Sequence, residues 1–256
     1  MNGSEANATS TEVGETNEVG ETKTSGAAES SLHDRLVNEW GMAVTSGAVS
    51  SGQHLPQPSA AMGSPSRTVT REAARVLESK GLISIKRRAG ATVNPAHLWN
   101  PYDPQIIQWR LNGPDRSATL HELSQLRVAI EPAAAFLAAH AASPRDWTTL
   151  TQAAIDMVAH SKHADESDYL DADIAFHRAL LKASGNHMFA ALGDLVVATL
   201  QGRTEHQLMP HVANAQALRD HVDVAAYIRE GDGAAARTAM EAIVNEADQA
   251  MDAATS

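Results

Sequence analysis

The chain has 256 residues, 43% of them hydrophobic but only 4% aromatic, which is enough apolar material for more than one core and favours closely packed helices over a sandwich of strands. It has no cysteine, which excludes disulfides, thiolate catalysis and thiolate metal sites and leaves histidines and carboxylates to hold any metal. The formal charge of −11 is unevenly spread: residues 1–30 carry 1 Lys or Arg against 6 Asp and Glu, residues 31–100 carry 8 against 4, and residues 101–256 carry 11 against 21, so any nucleic-acid contact belongs to the second segment.

No apolar run approaches the length of a membrane span, and no basic-then-apolar leader opens the chain, so the expectation is a cytoplasmic protein with no membrane contact. Residues 1–30 are polar and acidic, and VGET recurs at 13–16 and 19–22. Such a composition buries too little apolar surface to offset the entropy of ordering, and a disordered tail is expected.

From Leu32 a helical period runs through Leu36, Trp40 and Val44 to a stop at Ser46-Gly47. A Pro-, Ser- and Gly-rich interval follows, and then SPSRTVTREAARVLESKGLISIKRRAGATV, residues 64–93. Ser66 suits an N-cap, and Val69, Ala73, Val76 and Leu77 make one apolar stripe. Lys80-Gly81 stops the helix. Ile83 and Ile85 then alternate, KRRAG makes a basic turn, and Val93 closes a second short strand. Arg67, Arg71 and Arg75 lie four apart on the face opposite the stripe. By itself that spacing suits a solvated helix face. With Thr68 and Thr70 interleaved, a helix upstream, and Arg87 and Arg88 in the turn just after, it suits a winged helix-turn-helix, whose recognition helix reads base edges while the wing reaches phosphates.

Residues 94–117 hold four prolines and two tryptophans, with Asp103-Pro104 as the start of a short helix. The domain reading is therefore a tail at 1–30, a winged helix-turn-helix at 31–95, a linker at 96–117 and an all-α helical bundle at 118–253. Bundle helices are expected at about 119–142, 145–162, 165–184, 187–208, 213–230 and 233–253.

Four polar residues in the bundle fall on apolar faces. In DADIAFHRALL, residues 171–181, Asp173 and His177 are one turn apart among Leu170, Phe176, Leu180 and Leu181. Burying them requires a partner, and the spacing leaves open a hydrogen-bonded pair or two ligands of one metal. His221 shares a face with Leu218, Val224 and Ile228, and a satisfied core histidine is its ordinary reading. Arg127 shares a face with Leu123, Ile130 and Ala134, which suits either an ion pair with Glu131 or a clamp for a ligand carboxylate.

The run from Ser66 to Val93 resembles the recognition helix and wing of the GntR family of bacterial transcription regulators, and the remainder resembles its FadR-type subfamily, in which a C-terminal FCD domain binds effectors. The stretches LWNPYDPQIIQWRL and LRVAIEPAAAFLAA further resemble the galactonate-type, sugar-acid-responsive repressors of that subfamily. The resemblance implies a homodimeric repressor whose partners are operator DNA and a small carboxylate effector such as a sugar acid. It implies DNA contacts at Arg67, Thr68 and Arg71 and a wing-tip glycine at Gly90. It implies a divalent metal held by Asp173, His177 and His221, with zinc the first choice and nickel or manganese the others. The family's fourth ligand position falls at Ile243. Arg127 and Asn186 match effector-pocket residues, although Asn186 in SGN equally suits a helix cap. Between Leu55-Pro56 and Ser66-Arg67 the chain is shorter than the family pattern and lacks glutamate, so a truncated second helix is expected. The rival functional readings are a metal-dependent hydrolase or lyase, against which no HExxH occurs, and a degenerate regulator that binds DNA weakly.

Overall fold

The computed structural model describes residues 31–88 and 90–255; the acidic tail expected to be disordered lies outside the described residues. Helix α1, Leu32–Thr45, is capped by Ser31, whose hydroxyl accepts from the Asp34 amide, and it buries Leu36, Val37, Trp40 and Val44. Helix α2, Arg67–Ser79, begins at Ser66, which accepts from the Val69 amide, and buries Ala73, Ala74 and Leu77 against α1. Its stop depends on a glycine: Gly81 has φ 80°, and a β-carbon there would lie 2.2 Å from the Leu98 carbonyl oxygen. Strands β1, Ile83–Lys86, and β2, Gly90–Val93, pair antiparallel in the register Ile83 to Val93.

Between α1 and α2 the expected shortened helix is a single 3₁₀ turn, Ala60–Met62. Pro56, Pro58 and Pro65 bracket it and supply no amide hydrogens for a longer helix. The turn is tied to α1 instead, with the Ser59 amide donating to Glu39 at 2.9 Å and Arg35 donating to the Ala61 carbonyl at 3.2 Å.

The segment 96–117, expected to be a linker, is packed on two sides. It contains α3, Pro104–Leu111, capped by Asp103, which also takes a 2.7 Å bond from Lys80. Ile106 and Trp109 enter the core of the N-terminal domain. The Trp109 indole donates to Asn38, and its ring lies where a β-carbon on Gly41 would intrude, at 2.5 Å. Ile107 and Leu111 pack the other way, with Leu120, Leu123 and Leu195 of the bundle. Each face of an eight-residue helix thus serves a different domain.

The bundle comprises α4 (Arg116–Ala141), α5 (Pro144–Ala159), α6 (Ser167–Ala183), α7 (His187–Ala191), α8 (Gly193–Glu205), α9 (Ala215–Glu230) and α10 (Gly233–Thr255). The single helix expected over 187–208 is two helices. The break falls at Leu192-Gly193, where α7 ends and glycine offers least resistance to a bend. Phe176, Leu180, Leu181, Met157, Leu150 and Met240 are fully buried at the centre of the bundle.

Candidate functional site

Two places carry charged groups that the core packing does not explain. The first is the face of α2. Arg67, Thr68, Arg71 and Arg75 are all exposed on it. Arg71 and Arg75 lean on Glu72, at 3.5 and 3.2 Å, whereas Arg67 has no ion-pair partner among the described residues. Arg87 and Arg88 are exposed at the hairpin tip, which turns through left-handed backbone at Arg88 (φ 71°) and Gly90 (φ 79°). A cleft of about 690 Å³ runs between α2, the hairpin and the 3₁₀ turn, with Arg67, Arg71 and Gly90 in its walls.

The second place is inside the bundle. Asp173 and His177 on α6 are both buried, and α9 sets His221 opposite them. Oδ1 of Asp173 lies 3.1 Å from His177 Nε2 and 3.7 Å from His221 Nε2. One ligand atom from each of the three residues lies within 4.8 Å of the others. Each imidazole is fixed from behind. His221 Nδ1 is 2.6 Å from the Ala217 carbonyl oxygen, and His177 Nδ1 is 2.9 Å from Glu131 Oε2 on α4. Those acceptors place the ring protons on Nδ1 and turn both Nε2 lone pairs toward Asp173. Asp173 Oδ1 and His221 Nε2 are wholly buried and, among the described residues, have no hydrogen-bond partner. A hydrogen-bonded pair would leave neither atom orphaned, whereas a cation accepts from all three, so the donor set fits a divalent metal. In this arrangement His177 Nε2 takes a 3.1 Å contact from Nη2 of Arg127.

The electrostatics of the cluster balance closely. Burial raises the Glu131 carboxyl, but Arg127 and then His177 outweigh it and bring it down to about 2. Burial likewise works against the Asp173 carboxylate, and the His177 and His221 rings hold it well below the usual range. Burial lowers the His177 pKa, yet Glu131 and the neighbouring Asp173 raise it overall.

Arg127 is buried and bound by Glu131, at 2.8 Å from Nε and 3.4 Å from Nη2. It is the ion-paired alternative that the i, i+4 spacing allowed. A cavity of about 370 Å³ opens onto the cluster, and Arg127, Asp173, His177 and His221 all reach its wall. Ile243 lines it too, with an apolar side chain. Asn186 is not brought to this cavity. Its side-chain oxygen accepts from the Met188 and Phe189 amides as the cap of α7, and the left-handed Gly185 before it fixes that turn.

Sequence reasoning did not single out Tyr169 and Arg203, which also line the cavity, and it treated Glu131 only as a partner of Arg127. Burial, with Asp173 next, raises the Tyr169 hydroxyl pKa. Arg203 was readable in part, since it follows Val196, Thr199 and Leu200 on the buried face of α8.

Residues 122–246 match the FCD domain family. The galactonate operon transcriptional repressor of Escherichia coli K12 is 31% identical over 209 residues, covering 80% of this chain and 90% of that protein. The transcriptional repressor NanR of Cronobacter sakazakii is 28% identical over 188 residues, covering 70% of this chain and 68% of that protein. The solved structure of Lar, described as controlling expression of the Listeria monocytogenes agr system, has 17% identity and a TM-score of 0.55 over 88% of this chain and 99% of that one. That likeness speaks for the fold alone.

Proposed function

This chain belongs to the GntR family of transcriptional regulators and carries an FCD domain, and from that membership we propose that it is a cytoplasmic, homodimeric repressor that loses its operator when a small sugar acid binds beside a metal ion in the helical domain. It is a regulator and not an enzyme: its relatives are named transcriptional regulators and repressors. In keeping with that, Glu131, whose carboxylate lies 2.9 Å from His177, is already engaged by Arg127 and His177 and is not free to act as a general base.

The observation that carries the effector reading is the convergence of two orphaned lone pairs, from Asp173 and His221, with His177 on the wall of one cavity. Asp173, His177 and His221 would hold the metal, with zinc, nickel or manganese suited to two imidazoles and a carboxylate. The metal would supply Lewis acidity toward effector oxygens. Arg67, Thr68, Arg71 and Arg75 would meet the major groove, and Arg87, Arg88 and Gly90 would approach the adjacent backbone.

Coupling between the sites has a physical route. Gly202 on α8 abuts Leu111 of α3, and a β-carbon there would lie 3.2 Å from the leucine methyl. Leu111 and Trp109 sit on opposite-facing contacts of the same short helix. A shift of α8 on filling the cavity would thus move α3 against α1 and change the setting of α2, which is a coupling free energy between two sites.

The test is a pair of binding curves for DNA selected from a random pool, measured with the metal-loaded protein with and without sugar acids. Specific binding weakened by a sugar acid supports the proposal, and binding indifferent to every aldonate and hexuronate refutes the effector half. The 3₁₀ turn in place of a second helix favours one other reading, a regulator with weak DNA affinity. No selected sequence bound better than bulk DNA would establish it.

A further inference from the structure

The bundle buries two arginines on one cavity, and they are treated differently. Arg127 is neutralised by Glu131 at 2.8 Å. Arg203 is 6% exposed, its Nε is wholly buried without a partner, and among the described residues its guanidinium forms neither a hydrogen bond nor an ion pair. The two carboxylates near enough to act on it are committed elsewhere. Glu246 accepts from Asn214 at 3.1 Å, and Asp173 faces the two histidines. A buried, unpaired guanidinium is costly, and a planar fork of donors turned into a cavity suits one ligand group above others, a carboxylate.

We infer that Arg203 is the residue that anchors the effector carboxylate in this cavity, and that Arg127 is a positioning residue that holds Glu131, and through it His177, in place. The inference rests on the proposed effector role of the cavity and names the group that gives it acid selectivity. With one end of the ligand on Arg203, its other oxygens face Asp173, His177 and His221. The class that satisfies both ends is a polyhydroxy monocarboxylate, and about 370 Å³ is a cavity for a compact one. Tyr169 stands on the same wall, with a hydroxyl that stays protonated and can donate to the ligand.

The experiment measures binding of D-galactonate, and of neutral galactitol as its uncharged counterpart, to the full zinc-loaded chain by calorimetry, with melting temperatures recorded alongside. Galactonate should bind and galactitol should not. Arg203→Lys, which keeps charge but loses the fork, should weaken galactonate about tenfold, and Arg203→Met about thirtyfold or more. Because Arg203→Met also removes an unpaired buried charge, the ligand-free variant should melt no lower than wild type, which a purely structural arginine would not allow. Zinc should bind both variants as it binds wild type. If wild type and Arg203→Met bind galactonate equally, the anchor is not Arg203 and the effector reading stands. If wild type binds neither galactonate nor any other aldonate, the effector reading fails and this inference fails with it.

Discussion

The two domains handle the same side chain in opposite ways. In the N-terminal domain Arg67, Arg71, Arg75, Arg87 and Arg88 are exposed, held loosely or not at all, and gathered on one helix face and one hairpin tip. In the helical domain Arg127 and Arg203 are buried on a cavity wall. A hydrated guanidinium adds little to stability, and its use is to displace counterions from a polyanion. A buried one must be offset by a fixed partner or by a ligand. Arg127 shows the first solution, and Arg203 lacks it.

The comparison would be most sharply broken at Glu131. Glu131→Ala leaves Arg127 and His177 buried without their carboxylate, and the expected loss of stability is about 3–5 kcal/mol by denaturant unfolding. A loss near that of an exposed pair would mean that water already reaches the cluster.

Metal removal should come next. An ion that binds only the folded protein adds about 2.7 kcal/mol at a hundredfold excess over its Kd, so chelation should lower the melting temperature visibly. His221→Ala should reproduce that fall and make it insensitive to chelator, whereas His187→Ala, on the exposed start of α7, should do neither.

At the exposed site the effects should be on DNA affinity and not on stability. Arg67→Ala should weaken specific binding by about 1–3 kcal/mol with an unchanged far-UV spectrum, the worth of one base-reading arginine. The log–log salt dependence should be steep, with about −0.9 for each phosphate neutralised. Equal affinity of Arg67→Ala and wild type at matched salt would remove α2 from the interface. The smallest change belongs to Arg75, which shares Glu72 with Arg71 at the surface. Arg75→Ala should alter unfolding stability by less than about 1 kcal/mol.

The same contrast explains what could be read from the sequence. The α2 face was legible because exposed charge follows helical spacing directly. Asp173, His177 and His221 were legible because polar residues on apolar faces break a 3.6-residue period. What the period cannot show is which buried groups meet across helices. Glu131 reads as an i, i+4 partner of Arg127, and only the packing of α4 on α6 brings it to His177 as well. Arg203 lies in the last turn of α8, where a cation is unremarkable beside the helix dipole, so its burial depends on the loop and α10 that cover it. The capping role open to Asn186 in the sequence is seen in its bonds from the Met188 and Phe189 amides. The break at Leu192-Gly193 and the double-sided packing of α3 were hidden for the same reason, since both depend on what the neighbouring helices leave room for.

The most direct measurement is the metal content of protein purified without a histidine tag, followed by add-back of zinc, nickel and manganese to chelated protein. About one equivalent of a transition metal, or restored thermal stability on add-back, is expected for wild type, with both lost in His221→Ala. Less than about a tenth of an equivalent, with no stabilisation by any of the three ions, would contradict the metal site and leave Asp173, His177 and His221 as a buried polar cluster held by Glu131 and Arg127.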